Sequence, residues 1–304
     1  MNTSSRIIPH IQKALKHPKK AFTFSIWKIK EKFFWDHYYN SICAPKIKSK
    51  GPSINHEDIV KELKKNGFNV VDLKIDVNDY KRYIEKADYH KIQSFYGVAG
   101  KRNIFAEKTL QHYLAAKLLK LNNNDIYIDI ANAYSPASEI YHNLYGCKVF
   151  SQDLIFKEGI HGNKIGGDAS NMPVPDAFAT SMGLHCSFEH FEQNADINFI
   201  KEAGRVLKPG GKMCILPLYL YKEYIILTDP TVLPKGGIPF ESDAMLHCAK
   251  GYGNRHGRVY DIPHLITRIV NNLNDLKLTI YVVQNEKEVD SSCEVKFIAL
   301  FKKV

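Results

Sequence analysis

Three carboxylates stand at intervals that suit a nucleoside. Asp129 closes the apolar run that begins at Ile126, Asp153 ends a second apolar run 24 residues later, and Asp168 follows Gly166 and Gly167. An acid at the end of a second strand can accept hydrogen bonds from both ribose hydroxyls, as the acid about 20 residues past a dinucleotide-binding glycine loop does. An Asp beside exposed backbone amides can hold an adenine, its carboxylate taking the exocyclic amine while a neighbouring N–H meets a ring nitrogen. Each acid taken alone suits a turn or a helix cap equally well. Their order is the specific signal.

Other side chains have types suited to proton transfer or to gripping a substrate. His185, Cys186, Ser187, Phe188, Glu189 and His190 follow a predicted strand. Imidazole titrates near neutrality, so His185 or His190 can act as general base, with Glu189 orienting one of them. His185 is the first choice, because His190 also suits a packing role under the next helix. Two glycine-bearing loops add His161, in Gly159-Ile160-His161-Gly162, and Arg255, His256 and Arg258, in the run 251–260. Arg matches phosphate and carboxylate oxygens well, so these three residues, with His161 and Tyr219, are the expected substrate contacts. The alternative is ordered loops with solvated arginines. His161, His185, His190 and Glu189 lack the helical spacing of a metal site, and none is expected.

The elements that must position these groups alternate as strand and helix. Strands are expected at 126–131, 148–152, about 164–166, 178–184 and 213–218, with helices at 136–144 and 196–207. Lys208-Pro209-Gly210-Gly211 sets a type II turn, with Gly where φ must be positive. The stretch 221–262 reads as irregular, 263–273 as a helix, and 276–284 with 294–301 as an antiparallel pair. Upstream, helices are expected from residue 55 or 56 to 65, from about 77 to 87 and over 105–121, with a strand-like run at 68–75. Alternation of this kind implies a mostly parallel sheet with its ligand at the strands' C-terminal ends. Three regions follow: a basic aromatic arm (1–50), a mixed helical extension (51–120), and the α/β domain (121–304) with a lid insertion at about 219–262.

Charge is uneven along the 304 residues. The net +10 is almost wholly in residues 1–50, where Arg6 and ten lysines face only Glu31 and Asp36. A nucleic-acid groove would draw on the folded domain, so no nucleic-acid partner is expected. Within the arm, Ile26, Ile29 and Phe33 fall at i, i+3 and i+7, a helical face, with Lys28 and Lys32 on another. Residues 22–42 therefore suit peripheral contact with an anionic membrane, or packing on the main domain or a partner subunit. No apolar run approaches the roughly 20 residues that span a bilayer. The six cysteines are scattered with no Cys-x-x-Cys pair, which fits reduced thiols in a cytoplasmic protein.

Asp129, Asp153, Gly167-Asp168-Ala169, Pro173-Val174-Pro175-Asp176, His190 and the run from Glu202 to Gly211 together resemble the class I S-adenosylmethionine-dependent methyltransferases, in their small-molecule branch. The resemblance covers about residues 105–218. It implies a Rossmann-like, doubly wound seven-stranded α/β sheet with the last strand antiparallel, and S-adenosyl-L-methionine as cofactor. By resemblance, Asp153 holds the ribose, Asp168 and Ala169 the adenine, and Asp129 with Ala131, Asn132 and Ala133 the methionine end. The family's loop after the first acid carries three glycines; this chain has Ala131, Ala133 and Ser135 instead, with Asn132, Tyr134 and Ser135 available to replace them by side-chain hydrogen bonds. With the basic aromatic arm and the Arg-bearing lid, the resemblance leads to an expected O-methylation of a small polar acceptor, such as a sugar or nucleotide-sugar in surface-glycan biosynthesis. The alternatives are lipid or quinone methylation at a membrane, and a non-catalytic binding protein on the same fold.

Overall fold

The computed structural model describes residues 55–89, 104–133, 135–229, 238–248 and 252–304, with Ile26, Ile29, Phe33 and Val232 besides. The basic arm, apart from those three residues, and Tyr134 lie outside the described residues.

Helix α1 (His56–Lys65) starts where the Asn55 side chain accepts the Glu57 N–H, and it ends at Asn66 before Gly67, whose φ is 79°. Strand β1 (Val70–Leu73) follows, then α2 (Val77–Ala87), capped by Asp76, and α3 (Phe105–Leu119). α3 is buried almost all round, as expected of a helix sandwiched inside a domain.

The alternating core then runs β2 (Ile126–Ile130), α4 (Ala137–Tyr145), β3 (Lys148–His161), β4 (Lys164–Gly166), β5 (Ala179–His185), α5 (Ala195–Val206) and β6 (Leu207–Leu216). Gly210 has φ 78° within the expected turn. β10 (Leu276–Val283) and β11 (Phe297–Lys303) close it. The sheet order is β1-β10-β11-β6-β5-β2-β3-β4. β11 pairs antiparallel with both β6 and β10, and β2 lies between β3 and β5 in parallel pairing. The chain thus adds strands outward on one side of β2, then returns to build on the other. That reversal opens a crevice at the C-terminal ends of β2, β3 and β5.

Three expectations are corrected. Among the described residues the sheet has eight strands, because β1 pairs in parallel with β10 through Val70 to Leu73. The segment 51–120, expected as an extension, therefore contributes a strand to the main sheet. The stretch 221–262 is not irregular: β7 (Ile225–Thr228), β8 (Met245–Cys248) and β9 (Gly257–Val259) form a small second sheet. The glycine loop after the second strand is instead part of β3: residues 158–161 turn back through Gly162 and pair with β4 on its outer side, making an edge hairpin.

Alternation along β2 sorts its side chains between two cores. Ile128 and Ile130 join α1, α5 and α6 (Ile262–Arg268) on one face, while Tyr127 joins α2, α3 and α4 on the other. Asp129, two residues from Tyr127, therefore points toward the α3 side.

Candidate active site

Two clefts meet at the loop after β2. One, of about 370 Å³, is lined by Ala131, Asp153, Asp168, Ala169 and His190 among others. The second, of about 200 Å³, is lined by Asp129, Ala131, Asn132, Ala133, His185 and Cys186 among others. Ala131 borders both. A wider groove of about 670 Å³ lies at the opposite end of the sheet, beside the first residues of β1 and β10, and holds none of the expected site residues.

The loop replaces glycine chemistry with a set of side-chain staples. Ala131 and Ala133 adopt left-handed φ of 49° and 44°, a conformation that costs an L-residue about 1–2 kcal/mol. Asp153 Oδ2 accepts the Ala133 N–H at 2.7 Å, and Gln152 Oε1 accepts the Ala131 N–H at 3.2 Å. Gln152 Nε2 donates to Gly167 O at 2.6 Å, tying this loop to the one that carries Asp168. Asn132 Nδ2 donates to Asp129 Oδ2 at 2.5 Å and to Ser135 O at 3.0 Å. Ser135 Oγ accepts the N–H of Ala137 as α4 begins.

Asp129 is buried, and burial pushes its carboxyl up to about 7 despite the bonds from Asn132 and Tyr127. Tyr127 OH lies 3.4 Å from Asp129 Oδ1 and 3.2 Å from His185 Nε2. A Cβ on Gly183 would stand 2.4 Å from that hydroxyl, so glycine is what lets the tyrosine reach across β5. His185 is buried too, and burial followed by the Lys108 charge pushes it down to about 3. It is held neutral, with Nδ1 unpartnered among the described residues. Burial thus leaves His185, the first choice for the base from sequence, a weak proton acceptor.

His190 is better placed. Its Nδ1 lies 2.6 Å from His256 O, which leaves Nε2 as the lone-pair nitrogen, 3.7 Å from Glu189 Oε1. The ring is about one-third exposed at the mouth of the larger cleft, while Glu189 is buried behind it. Burial raises the Glu189 carboxyl above its ordinary range, and its Oε2 has no partner among the described residues. Asp168 is exposed and receives the Ser170 N–H and hydroxyl on one oxygen, Oδ1.

The expected substrate contacts divide. Arg255 borders the larger cleft and pairs with Glu192 at 2.6 Å. Tyr219 is half-buried, with its hydroxyl 3.7 Å from Cys186 Sγ. Arg258 is wholly buried and pairs with Asp196 and Glu241. His256 is buried, pushed down to about 4 by burial, and packs its Nδ1 3.2 Å from Glu189 O. Both brace the insertion rather than face a ligand. His161 sits on the exposed edge hairpin, its Nε2 2.9 Å from Glu158 O, away from both clefts. Among the described residues no group of three or more His, Cys, Asp or Glu could hold a metal ion.

Gln152, Lys108 and Tyr127 belong to this site but drew no notice in the sequence. Gln152 precedes a ribose-type acid, and that adjacency is a usable signal. Lys108 and Tyr127 lie in segments that read only as core.

The family model described as a methyltransferase domain matches residues 129–215, the span from the β2 acid to β6. Residues 129–215 form a methyltransferase domain. Its cofactor is S-adenosylmethionine, and the chain is a methyltransferase enzyme. The methyltransferase resembles several solved structures at low identity. One is the Burkholderia thailandensis 1,6-didemethyltoxoflavin-N1-methyltransferase with 1,6-didemethyltoxoflavin and S-adenosylhomocysteine bound (10% identity, TM-score 0.42, 84% of this chain and 93% of that one). Another is the PH0226 protein of Pyrococcus horikoshii OT3 (17%, TM-score 0.44, 71% and 99%). A third is the geranyl diphosphate C-methyltransferase of Streptomyces coelicolor A3(2) (10%, TM-score 0.41, 67% and 85%). No curated protein matches the sequence.

Proposed function

We propose that this methyltransferase acts on a hydroxyl oxygen of a small polar acceptor, such as a sugar or nucleotide-sugar in surface-glycan assembly. The carrying observation is the pair of clefts that share Ala131, one holding Asp153, Asp168 and Ala169 and the other Asp129, Asn132 and Ala133. In this reading adenine lies against Asp168 and Ala169, ribose against Asp153, and the amino-acid end against Asp129 and the loop. Bound there, S-adenosylmethionine supplies a methyl group on a positively charged sulfur, so alignment of the nucleophile is the main demand on the protein. Gln111 Nε2 and Tyr219 OH meet Cys186 beside the smaller cleft, with Glu189 close by. Such polar surroundings favour an acceptor rich in hydroxyls over a quinone or lipid ring. His190 Nε2 takes the acceptor's proton, with Glu189 and the His256 carbonyl fixing the ring.

The test offers the enzyme and S-adenosylmethionine a free sugar, a nucleotide-sugar and a quinol, and reads methylated product by mass spectrometry. Methylation of the quinol alone would refute the acceptor class. His190→Ala is expected to lower turnover by about 10²–10⁴-fold.

A second proposal, peripheral membrane contact through residues 22–42, is favoured by Ile26, Ile29 and Phe33. All three are helical and are 38%, 57% and 72% exposed. They lie in the part of the chain that carries eleven basic residues against two acids, and an amphipathic basic helix is drawn to anionic lipid. No helix among the described residues is long and apolar enough to cross a membrane. Co-flotation with phosphatidylglycerol vesicles but not with phosphatidylcholine vesicles is the expected result; equal recovery from both would count against it.

A further inference from the structure

The groove of about 670 Å³ at the far end of the sheet has the size of a small-molecule site, roughly 300–1,000 Å³. Its described lining residues include Lys212, Lys277 and Lys302 and no acid. Lys277 lies directly opposite Lys302, and Lys302 opposite Lys212. The three lysines therefore form a row on one face of the sheet, across β10, β11 and β6. Like charges set opposite one another in a sheet repel, and no ion pair of these three forms among the described residues. Burial, then the charges of Lys120 and Lys302, lower the proton affinity of Lys212. Lys303, on the other face of β11, has Asp275 at 3.3 Å. Ile266, Val270, Leu273, Leu276 and Leu278 give the same groove an apolar wall. β1 pairs with β10 only from Ile280 onward, which leaves the start of β10 open along that edge and lets the groove reach both its faces.

We propose that this groove binds a single-chain amphiphile with a phosphate head, its chain along the leucine wall and its phosphate over the lysine row. Charge complementarity fixes the sign of the occupant. Lysine meets phosphate as a point charge, and a phosphate monoester carries about −1.5 to −2 at neutral pH, enough to offset more than one ammonium. Outside the described residues the acids are Glu31 and Asp36 alone, in an arm with eleven basic residues, so these segments supply no acidic stretch to cover the row. The apolar wall favours a chain-bearing ligand over a bare anion, because burying methylenes adds affinity that a bare anion cannot gain. The groove lies at the end of the sheet away from the two clefts, and shares no lining residue with them. Its occupant therefore holds the enzyme to a lipid phosphate rather than receiving the methyl group, and the site is independent of the acceptor and of the cofactor placement.

Calorimetry on the full chain tests this with four probes: dodecyl phosphate below its micelle concentration, dodecyl maltoside, inorganic phosphate and a glutamate-rich peptide. Dodecyl phosphate is expected to bind at one site, at least about tenfold more tightly than the other three. Lys277 and Lys302 are both exposed. Lys277→Glu combined with Lys302→Glu is expected to weaken dodecyl phosphate roughly ten- to a hundredfold, the loss of charge-assisted contacts, with the far-ultraviolet circular dichroism unchanged. Lys277→Gln with Lys302→Gln should weaken it less, and serves in place of the charge reversal if that disturbs folding. Equal binding by variant and wild type places the probe on another surface, such as the basic arm, and overturns the site. Equal affinity for inorganic phosphate or for the maltoside overturns the amphiphile, and tighter binding of the glutamate peptide points to an acidic protein partner instead. No binding of dodecyl phosphate by the wild type overturns the proposal outright.

Discussion

Ala131 and Ala133 sit where backbone geometry favours glycine, with φ of 49° and 44°, yet the loop keeps its shape. Asp153, Gln152 and Asn132 supply the restraint, each through a side-chain bond to the loop or to Asp129. Relief of left-handed strain, about 1–2 kcal/mol, is partly offset by glycine's greater freedom when unfolded, about 0.5–1 kcal/mol. Ala133→Gly is therefore expected to stabilise the protein by about 0.5–1 kcal/mol in urea denaturation; a loss of stability would show that the alanine methyl packs productively. Asp129 and His185 make a second residue-scale prediction. Asp129 keeps its proton in the folded state up to about 7 but loses it near 3.8 when unfolded, so its contribution declines as pH rises between those values. His185 gains its proton at about 3 when folded against 6.5 unfolded, so its contribution grows as pH rises from about 3 to 6.5. The two slopes oppose each other. Asp129→Asn should leave a stability that climbs more steeply with pH from about 4 to 6.5, and His185→Gln one that falls, by up to about 1.4 kcal/mol per pH unit for each proton. Identical pH profiles for both variants would contradict these assignments.

At the scale of elements, the alternation from β2 to β6 was legible because each strand and helix there has its own period and its own stop. Asp153, Asp168 and the Lys208–Gly211 turn fall where their spacing placed them. β1 was read as a strand but not as part of the sheet, because pairing with β10, some 210 residues away, leaves no local mark. β7, β8 and β9 were missed for a related reason: each is only three or four residues long, too short for periodicity to show. Arg258 and His256 read as ligand contacts because a glycine-rich run usually means an exposed loop. Burial reverses that reading. Asp196, at the start of α5, meets Arg258 at 3.0 Å, Arg268 at 2.7 Å and the Tyr260 hydroxyl at 2.7 Å, all with no exposed surface on the acid. This cluster bolts the insertion to the core beside the larger cleft. Arg258→Met should cost about 3–5 kcal/mol, since it leaves Asp196 and Glu241 with less compensation, and Asp196→Asn added to it should return part of the loss. Additive losses in that pair of variants would mean the two residues act separately.

On the scale of the whole molecule, the chain builds one eight-stranded sheet whose reversal between β3 and β5 fixes where a ligand binds. Asp129 lies one residue before the end of β2, Asp153 within β3 where its parallel pairing with β4 stops, and Asp168 just beyond β4, and all three border the two clefts. Helix α3, from outside the matched segment, closes the far side of the smaller cleft with Lys108 and Ile104. The central claim is that this crevice binds the cofactor despite a loop without glycines. Calorimetric titration of the full chain with S-adenosylhomocysteine tests it most directly. One site per chain is expected, weakened at least about tenfold by Asp153→Ala, which removes both the proposed ribose acceptor and the staple to Ala133. A folded wild-type protein that shows no binding would contradict the account.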